Sequence, residues 1–155
     1  MLTAKKIRCL VIDDEPLARE MLKQHIAGVE SLELAGVCSN AIEATNFLKD
    51  HPVDLLFLDI QMPQLLGTNF IRTLKSPPKV IFTTAYRKYA VEGFELDAVD
   101  YILKPISLER FLKAINKVLQ TNLSSAQATN DSKENHTEPN RFLYFRVDRK
   151  MVKVL

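Results

Sequence analysis

The chain has few of the residues that mark membrane, secreted or metal-thiolate proteins. Its 155 residues include no tryptophan, four glycines and two cysteines. No apolar run approaches the roughly 18 residues of a membrane span, and the start, MLTAKKIRCL, lacks the apolar core of a signal peptide. Two cysteines are too few for a thiolate metal site, and Cys9 and Cys38 stand in apolar runs typical of buried free thiols. These absences favour a soluble, cytoplasmic protein.

The four glycines also argue against a nucleotide-binding domain of the Rossmann type. They are scattered along the chain, at Gly28, Gly36, Gly67 and Gly93. A phosphate-binding loop needs glycines clustered between a strand and a helix, so that the backbone can approach the phosphates. The sequence therefore does not predict a nucleotide site.

Short aliphatic runs alternate with segments of helical spacing. Five runs are typical of strands, and they lie at residues 7–12, 34–38, 55–58, 80–83 and 99–103. Five amphipathic segments lie between and after them; the last, at 108–119, has the clearest pattern, and the fourth, around 86–95, has the weakest. Because each parallel strand pair needs a crossover helix, this alternation predicts an α/β fold in which five helices cover a five-stranded parallel sheet.

The composition changes after residue 121. Residues 122–140, NLSSAQATNDSKENHTEPN, contain one large apolar residue, so they cannot bury enough surface to offset their ordering entropy. Residues 141–155, RFLYFRVDRKMVKVL, predict two strands and a turn. We therefore expect a first domain at 1–121 and a flexible linker at 122–140. The remainder is either the start of a second domain, cut short as in an expressed fragment, or a hairpin docked on the first domain.

Polar residues are expected to converge at one edge of the predicted sheet. Ligands of an open parallel sheet bind at the carboxyl ends of its strands. Residues at four of these ends are Asp13 and Asp14, Asp59, Thr84 and Lys104. Three carboxylates repel one another unless a cation compensates, and an all-oxygen acidic site suits Mg²⁺. A divalent cation, an ammonium and a hydroxyl around one carboxylate can stabilise a transferring phosphoryl group, so Asp59 is a candidate nucleophile.

Each of these residues also has a purely structural explanation. The acids after the first strand could cap the helix that begins near Pro16, Thr84 could serve a turn, and Lys104 could be an ordinary surface lysine. Asp59 is the hardest to explain in this way, because it follows four large apolar residues and has no basic neighbour in sequence. Taken together, the set favours a functional site.

Four segments, LVIDDEP, FLDIQMPQLLG, IFTTAY and VDYILKP, resemble in order and spacing the receiver domain of two-component response regulators. The resemblance covers most of residues 7–105 and extends through the last helix to about residue 121. It implies a flavodoxin-like, doubly wound sheet with strand order 2-1-3-4-5. The longer segment AYRKYAVEGFELDAVDYILKPI resembles the LytTR-type subfamily, and FLYFRVDRKMVKV looks like the first strands of its DNA-binding domain, which would be truncated here.

The resemblance implies a role for each matching residue. Asp59 would be the phosphoacceptor, and Thr84 and Lys104 would contact the phosphoryl oxygens. The implied Mg²⁺ ligands are Asp14, Asp59 and the backbone carbonyl of Gln61, with Asp13 acting through water.

Further positions follow from the same resemblance. Tyr101 matches an aromatic switch residue whose ring turns inward when Thr84 is drawn to the phosphate, although an ordinary strand aromatic packed on the core explains it equally well. Gln61 and Tyr86 flank the phosphoryl group and are expected to tune the lifetime of the acyl phosphate. Gly67 matches the glycine of the loop after the acceptor.

The resemblance implies a phosphorylation-driven switch rather than an enzyme with an outside substrate. Its donor would be a cognate sensor histidine kinase, and phosphorylation would shift an existing equilibrium at the face of the fourth helix, the fifth strand and the fifth helix. That face often forms a homodimer in the family, which here would bring together the DNA-binding domains of the full-length protein, with no membrane partner.

Two other functions stay open. A Mg²⁺-dependent phosphatase of the haloacid-dehalogenase type is the main alternative, but such enzymes need Asp-x-Asp, and Gln61 stands two residues after Asp59. A structural interaction domain whose acidic edge has lost its function is the other.

Overall fold

The computed structural model describes residues 5–87 and 97–130. In chain order its elements are β1 (Ile7–Ile12), α1 (Pro16–Ala27), β2 (Leu32–Cys38), α2 (Ala41–Asp50), β3 (Leu55–Asp59), α3 (Gly67–Arg72), β4 (Lys79–Thr84), β5 (Asp100–Leu103) and α4 (Leu108–Asn130). Four helices are thus described where five are predicted, because most of the helix expected around 86–95 lies outside the described residues. The strands expected at 141–155 lie outside them as well.

The five strands form one parallel sheet, which confirms the predicted order β2-β1-β3-β4-β5 and the flavodoxin-like arrangement. β1 lies between β2 and β3, and Ile12 pairs with Cys38 on one side and Leu58 on the other. All five residues of β3 are buried, as expected for a central strand covered on both faces. The carboxyl ends of β1 and β3 therefore lie side by side.

The edge strand β2 starts two residues before its predicted start and contains a bulge. The β1–β2 register shifts after Cys9, where Leu34 and Gly36 pair with consecutive residues of β1, so Ala35 is the extra residue. A side-chain carbon on Gly36 would lie 2.7 Å from the ring of Phe47 on α2. Glycine at this position therefore lets α2 pack closely on β2.

The last helix is longer than predicted. α4 continues to Asn130, past residue 122, where the linker was expected to begin. The segment LSSAQA contains favourable helix formers and no glycine or proline, so nothing in it ends the helix. Contacts divide the chain into Met1–Ala114, which holds the whole sheet, and Ile115–Leu155. The predicted domain boundaries remain predictions. No helix in the described ranges is long and apolar enough to span a membrane.

Apolar side chains fill both faces of the sheet. On one face the rings of Phe57 and Phe111 stack with centroids 5.5 Å apart, and on the other Phe82 stacks on Tyr101 at 5.2 Å. In the described part of the chain, four of the five buried polar side chains lie at the carboxyl ends of β1, β3 and β4; the five are Asp13, Asp59, Thr83, Thr84 and Asp100. Buried polarity is thus concentrated at the edge where the sequence predicts a site.

Candidate functional site

Three carboxylates meet at the carboxyl edge of the sheet. Asp13 follows the last residue of β1, and Asp59 is the last residue of β3. Carboxylate oxygens of Asp13, Asp14 and Asp59 all lie within 4.8 Å of one another. Asp13 and Asp59 are buried, whereas Asp14 is exposed. Charges this close repel strongly in a partly desolvated site, so the cluster needs a cation.

Lys104, which follows β5, supplies one positive charge to this cluster. Its Nζ lies 3.0 Å from Asp13 Oδ2 and 3.4 Å from Asp59 Oδ2. It also lies 3.0 Å from Glu15 Oε1, a residue to which the sequence assigned no role in the site. Burial is the largest single effect and would lower the pKa of Lys104, but the hydrogen bonds to Asp13 and Glu15 and the charges of Asp13 and Asp59 together raise the pKa to about 12. The ammonium therefore stays charged at physiological pH.

The Asp59 carboxyl lies in an environment that disfavours its charge. Burial, and then the charge of Asp13, raise the pKa of Asp59 to about 7, against the opposing effects of Lys104 and the Gln61 backbone N–H. That N–H donates to Asp59 Oδ1 at 3.1 Å. One ammonium is thus too little to compensate the three carboxylates, and a further cation would restore the ionised form of Asp59.

The donor set fits Mg²⁺. Its three side chains supply only hard oxygen ligands, of the kind that this ion prefers, and the exposure of Asp14 leaves room for the waters that it keeps. Asp13 Oδ2 is buried without a hydrogen bond of good geometry, although Lys104 Nζ is 3.0 Å away. We interpret that contact as an ion pair without an aligned N–H, which leaves a lone pair for a cation or its water.

Thr84 ends β4 beside this cluster. Its hydroxyl oxygen accepts a hydrogen bond from the Tyr86 backbone N–H at 3.0 Å, so the hydroxyl still has its own proton to donate. Its carbonyl accepts from the Lys104 backbone N–H at 2.7 Å. Thr84 and Lys104 are therefore joined at the ends of neighbouring strands, as the predicted convergence requires.

Tyr101 lies on β5. Its half-buried ring stacks on Phe82, and burial raises the pKa of its hydroxyl. Its backbone carbonyl accepts a hydrogen bond from Arg110, which also binds both carboxylate oxygens of Asp100 at 2.9 Å. This arrangement fits ordinary core packing as well as one state of a switch, and the switch role remains a prediction.

The loop after β3 folds back onto the acceptor strand. The Gly67 backbone N–H donates to the Ile60 carbonyl, and a side-chain carbon at Gly67 would lie 2.3 Å from the carbonyl oxygen of Asp59. Gln64, within this loop, has a positive φ of 72°. The close approach explains why glycine stands at position 67: any side chain would displace the backbone that carries Asp59.

Comparison with known proteins gives consistent matches. A family model described as the response regulator receiver domain matches residues 9–116. Transcriptional regulatory protein BtsR of Salmonella typhi is 41% identical over 116 residues, which cover 74% of this chain and 48% of that protein. Sensory transduction protein LytR of Staphylococcus haemolyticus is 41% identical over 115 residues, covering 72% and 45%. This chain thus spans about half the length of these curated relatives.

Solved structures agree with the sequence comparisons. The response regulatory domain of protein mrkE from Klebsiella pneumoniae superposes with a TM-score of 0.67 at 33% identity, covering 74% of this chain and 97% of that chain. The REC domain of AraT from Geobacillus stearothermophilus gives a TM-score of 0.67 at 28% identity, covering 78% and 98%. The similarity therefore extends over nearly the whole of both solved domains.

Proposed function

This chain belongs to the receiver domain family of two-component response regulators, and from that premise we propose that Asp59 accepts a phosphoryl group in a Mg²⁺-dependent reaction. One observation carries the proposal: the Asp59 carboxylate is buried at a strand end, among Asp13, Asp14 and the Lys104 ammonium. In the reaction, an oxygen of Asp59 forms the new bond to phosphorus. The bond from phosphorus to the donor's leaving atom breaks, and its electron pair stays on the leaving group.

Some residues of this chain would bind the metal, and others would stabilise the charge of the phosphoryl group. Asp14, Asp59 and the Gln61 carbonyl would hold Mg²⁺ directly, and Asp13 would hold it through water. The bound ion would supply a divalent charge that offsets the phosphoryl oxygens. Lys104 and the Thr84 hydroxyl would donate hydrogen bonds to the other oxygens, for which both are placed at neighbouring strand ends.

We propose that phosphorylation is read out through Thr84 and Tyr101. Movement of the Thr84 hydroxyl toward the phosphoryl group would break its bond from the Tyr86 N–H, and the Tyr101 ring would then turn inward from its stack on Phe82. The resulting change at the face of β5 and the last helix would favour a homodimer and, in the full-length protein, DNA binding. Similarity to regulators named BtsR and LytR supports a transcriptional role and the LytTR-type assignment.

The phosphoryl donor is proposed to be a sensor histidine kinase in the cytoplasm. A groove of about 290 Å³ adjoins Lys104, and its lining includes Leu17 and Met21 of α1 with Pro105 and Ile106. Leu17 is 74% exposed. An apolar groove beside the acceptor offers a surface on which a donor protein can hold its phosphohistidine near Asp59.

Phosphorylation by a small donor tests the assignment without the kinase. Incubation with Mg²⁺ and acetyl phosphate should add one phosphoryl group, measured by intact-mass spectrometry, and Asp59→Asn should add none. Asp50→Asn, at an exposed position that ends α2, is the control and should react like the unchanged protein. Normal labelling of Asp59→Asn would refute the proposal. The phosphatase alternative gains no support from the comparisons, and steady turnover of p-nitrophenyl phosphate would be needed to revive it.

A further inference from the structure

Arg19 on α1 contacts the backbone that carries two of the three clustered carboxylates. Its Nη1 donates a hydrogen bond to the Asp13 carbonyl oxygen at 2.8 Å, and its side chain is half-buried. That carbonyl belongs to the peptide group that joins Asp13 to Asp14. In the described part of the chain, the ion pairs of the site are all made by Lys104. Arg19 therefore acts on the backbone of the two acids, while Lys104 acts on carboxylates.

The segment between β1 and α1 is held on both sides of Asp14. Before Asp14, the Asp13 backbone N–H donates to the Cys38 carbonyl at 3.1 Å. After it, the Glu15 backbone N–H donates to Asp13 Oδ1 at 2.9 Å. Arg19 supplies a third contact, at the carbonyl of the Asp13–Asp14 peptide itself. Because a peptide group is planar, holding its oxygen also holds the backbone nitrogen and Cα of Asp14.

We propose that Arg19 is a positioning residue of the metal site: by holding the Asp13–Asp14 peptide, it places the Asp14 carboxylate where Mg²⁺ binds. The inference rests on the proposed function, which makes Asp14 a metal ligand. Asp14 is exposed, so side-chain packing does little to fix it. Mg²⁺ demands near-ideal octahedral geometry, and a ligand that the backbone fixes in advance therefore binds this ion more tightly.

The charge of Arg19 and its hydrogen bond have opposite effects on metal affinity. A guanidinium near a divalent cation repels it, so loss of the charge alone would tighten Mg²⁺ binding. Loss of the hydrogen bond alone would loosen the Asp13–Asp14 peptide and weaken Mg²⁺ binding. Arg19→Met removes both while keeping an unbranched apolar side chain, so the direction of the change shows which effect is larger. Positioning requires weaker binding.

Arg8→Met is the matched control. Arg8 Nε donates to the Pro52 carbonyl at 2.8 Å, so this variant also loses an arginine–carbonyl hydrogen bond and one positive charge. Arg8 lies near the start of β1, whereas Asp13 follows its end, which places the two Cα atoms about 16 Å apart. A general effect of lower stability or lower net charge would therefore appear in both variants.

The first measurement is Mg²⁺ affinity without a phosphoryl donor, by NMR titration well below the thermal midpoint of each variant. We expect the dissociation constant to rise about three- to tenfold in Arg19→Met and to stay unchanged in Arg8→Met. Residues that orient metal ligands typically contribute about 10- to 100-fold, and Arg19 contributes less because it holds the backbone and not a ligand atom. In labelling by acetyl phosphate, the Mg²⁺ concentration that gives half the maximal rate should rise by the same factor. Excess Mg²⁺ should restore the rate.

Unchanged or tighter Mg²⁺ binding in Arg19→Met would overturn the inference, and so would equal weakening in Arg8→Met. A slow labelling rate in Arg19→Met that excess Mg²⁺ does not restore would also overturn it, because the defect would then lie in the acceptor and not in metal affinity. Failure of the proposed function is distinguishable: the unchanged protein would be labelled without Mg²⁺, or Asp59→Asn would be labelled normally. Neither result involves a variant of Arg19.

Discussion

Gly67→Ala is expected to destabilise the protein and to disturb the acceptor together. The added carbon would lie 2.3 Å from the Asp59 carbonyl oxygen and 3.1 Å from the Asp59 carbonyl carbon. An ordinary contact is longer by about 1 Å, and both atoms belong to the buried backbone of β3, which cannot move aside as a flexible side chain does. The loop must therefore shift and weaken the hydrogen bond from the Gly67 N–H to Ile60.

The size of the effect follows from three contributions. Overpacking of this kind costs about 1–3 kcal/mol, and a weakened backbone hydrogen bond adds about 1 kcal/mol. Alanine also lowers the conformational entropy of the unfolded chain, which stabilises the folded protein by about 0.4–1 kcal/mol. No described glycine has a positive φ, so left-handed backbone strain adds nothing. We expect a net loss of about 1–3 kcal/mol, a large share of the roughly 5–15 kcal/mol typical of a domain.

Urea denaturation followed by circular dichroism measures this loss, since the chain has no tryptophan for fluorescence. Gly28→Ala is the matched control, because its added carbon would meet its nearest atom at 3.6 Å, an ordinary contact. That variant should be as stable as the unchanged protein or slightly more stable. Labelling by acetyl phosphate should also slow in Gly67→Ala, because the displaced backbone carries Asp59. Equal stability of the two variants would refute the steric argument.

Three further predictions concern ionisable groups. Burial raises the pKa of Cys9 to about 12 and that of Cys38 to about 11. Both thiols should therefore react with a disulfide reagent at mildly alkaline pH at least about 100-fold more slowly in the folded protein than in urea. Fast labelling of the folded form would contradict this prediction. Because the folded pKa of Asp59, about 7, exceeds its ordinary value of 3.8, the unfolded chain loses this proton first as pH rises. Without metal, the free energy of unfolding should therefore decrease as the pH rises from 3.8 to about 7 in the unchanged protein, and it should decrease less in Asp59→Asn. Urea titrations with a chelator at several pH values would measure both. Arg110→Ala removes two 2.9 Å hydrogen bonds to the buried carboxylate of Asp100 and should cost about 1–3 kcal/mol in unfolding free energy; a loss below about 0.5 kcal/mol would show that the pair contributes little.

The parallel sheet was predictable because its signals are local and repeated. Apolar runs at regular spacing identify the strands, and the crossover rule then orients them in one direction. That orientation alone places Asp13 and Asp59 at one edge, although they lie 46 positions apart in the sequence. The strand order, in contrast, came only from resemblance, since apolar periodicity does not say which strands are neighbours.

Features that depend on a single distant contact were not predictable. Glu15 and Lys104 lie 89 residues apart, and a glutamate just before a helix fits a capping role equally well from sequence alone. The close approach of Gly67 to Asp59 likewise depends on how one loop folds back. The continuation of α4 to Asn130 was missed for another reason: its polar composition indicates a linker, while its residues tolerate a helix.

The charge balance of the site connects these observations. Asp13, Asp14, Glu15 and Asp59 surround or adjoin one ammonium, so the fully ionised cluster carries a net charge of about −3 by simple addition. Burial, and then the charge of Asp13, raise the pKa of Asp59 to about 7, because the neutral carboxyl avoids both the loss of solvation and the repulsion. A divalent cation would remove the need for that proton and expose the carboxylate as a nucleophile. Phosphorylation would then add about one negative charge beside Lys104, whose Nζ lies 3.4 Å from Asp59 Oδ2. The same shortage of positive charge is the physical reason for the metal requirement that we propose.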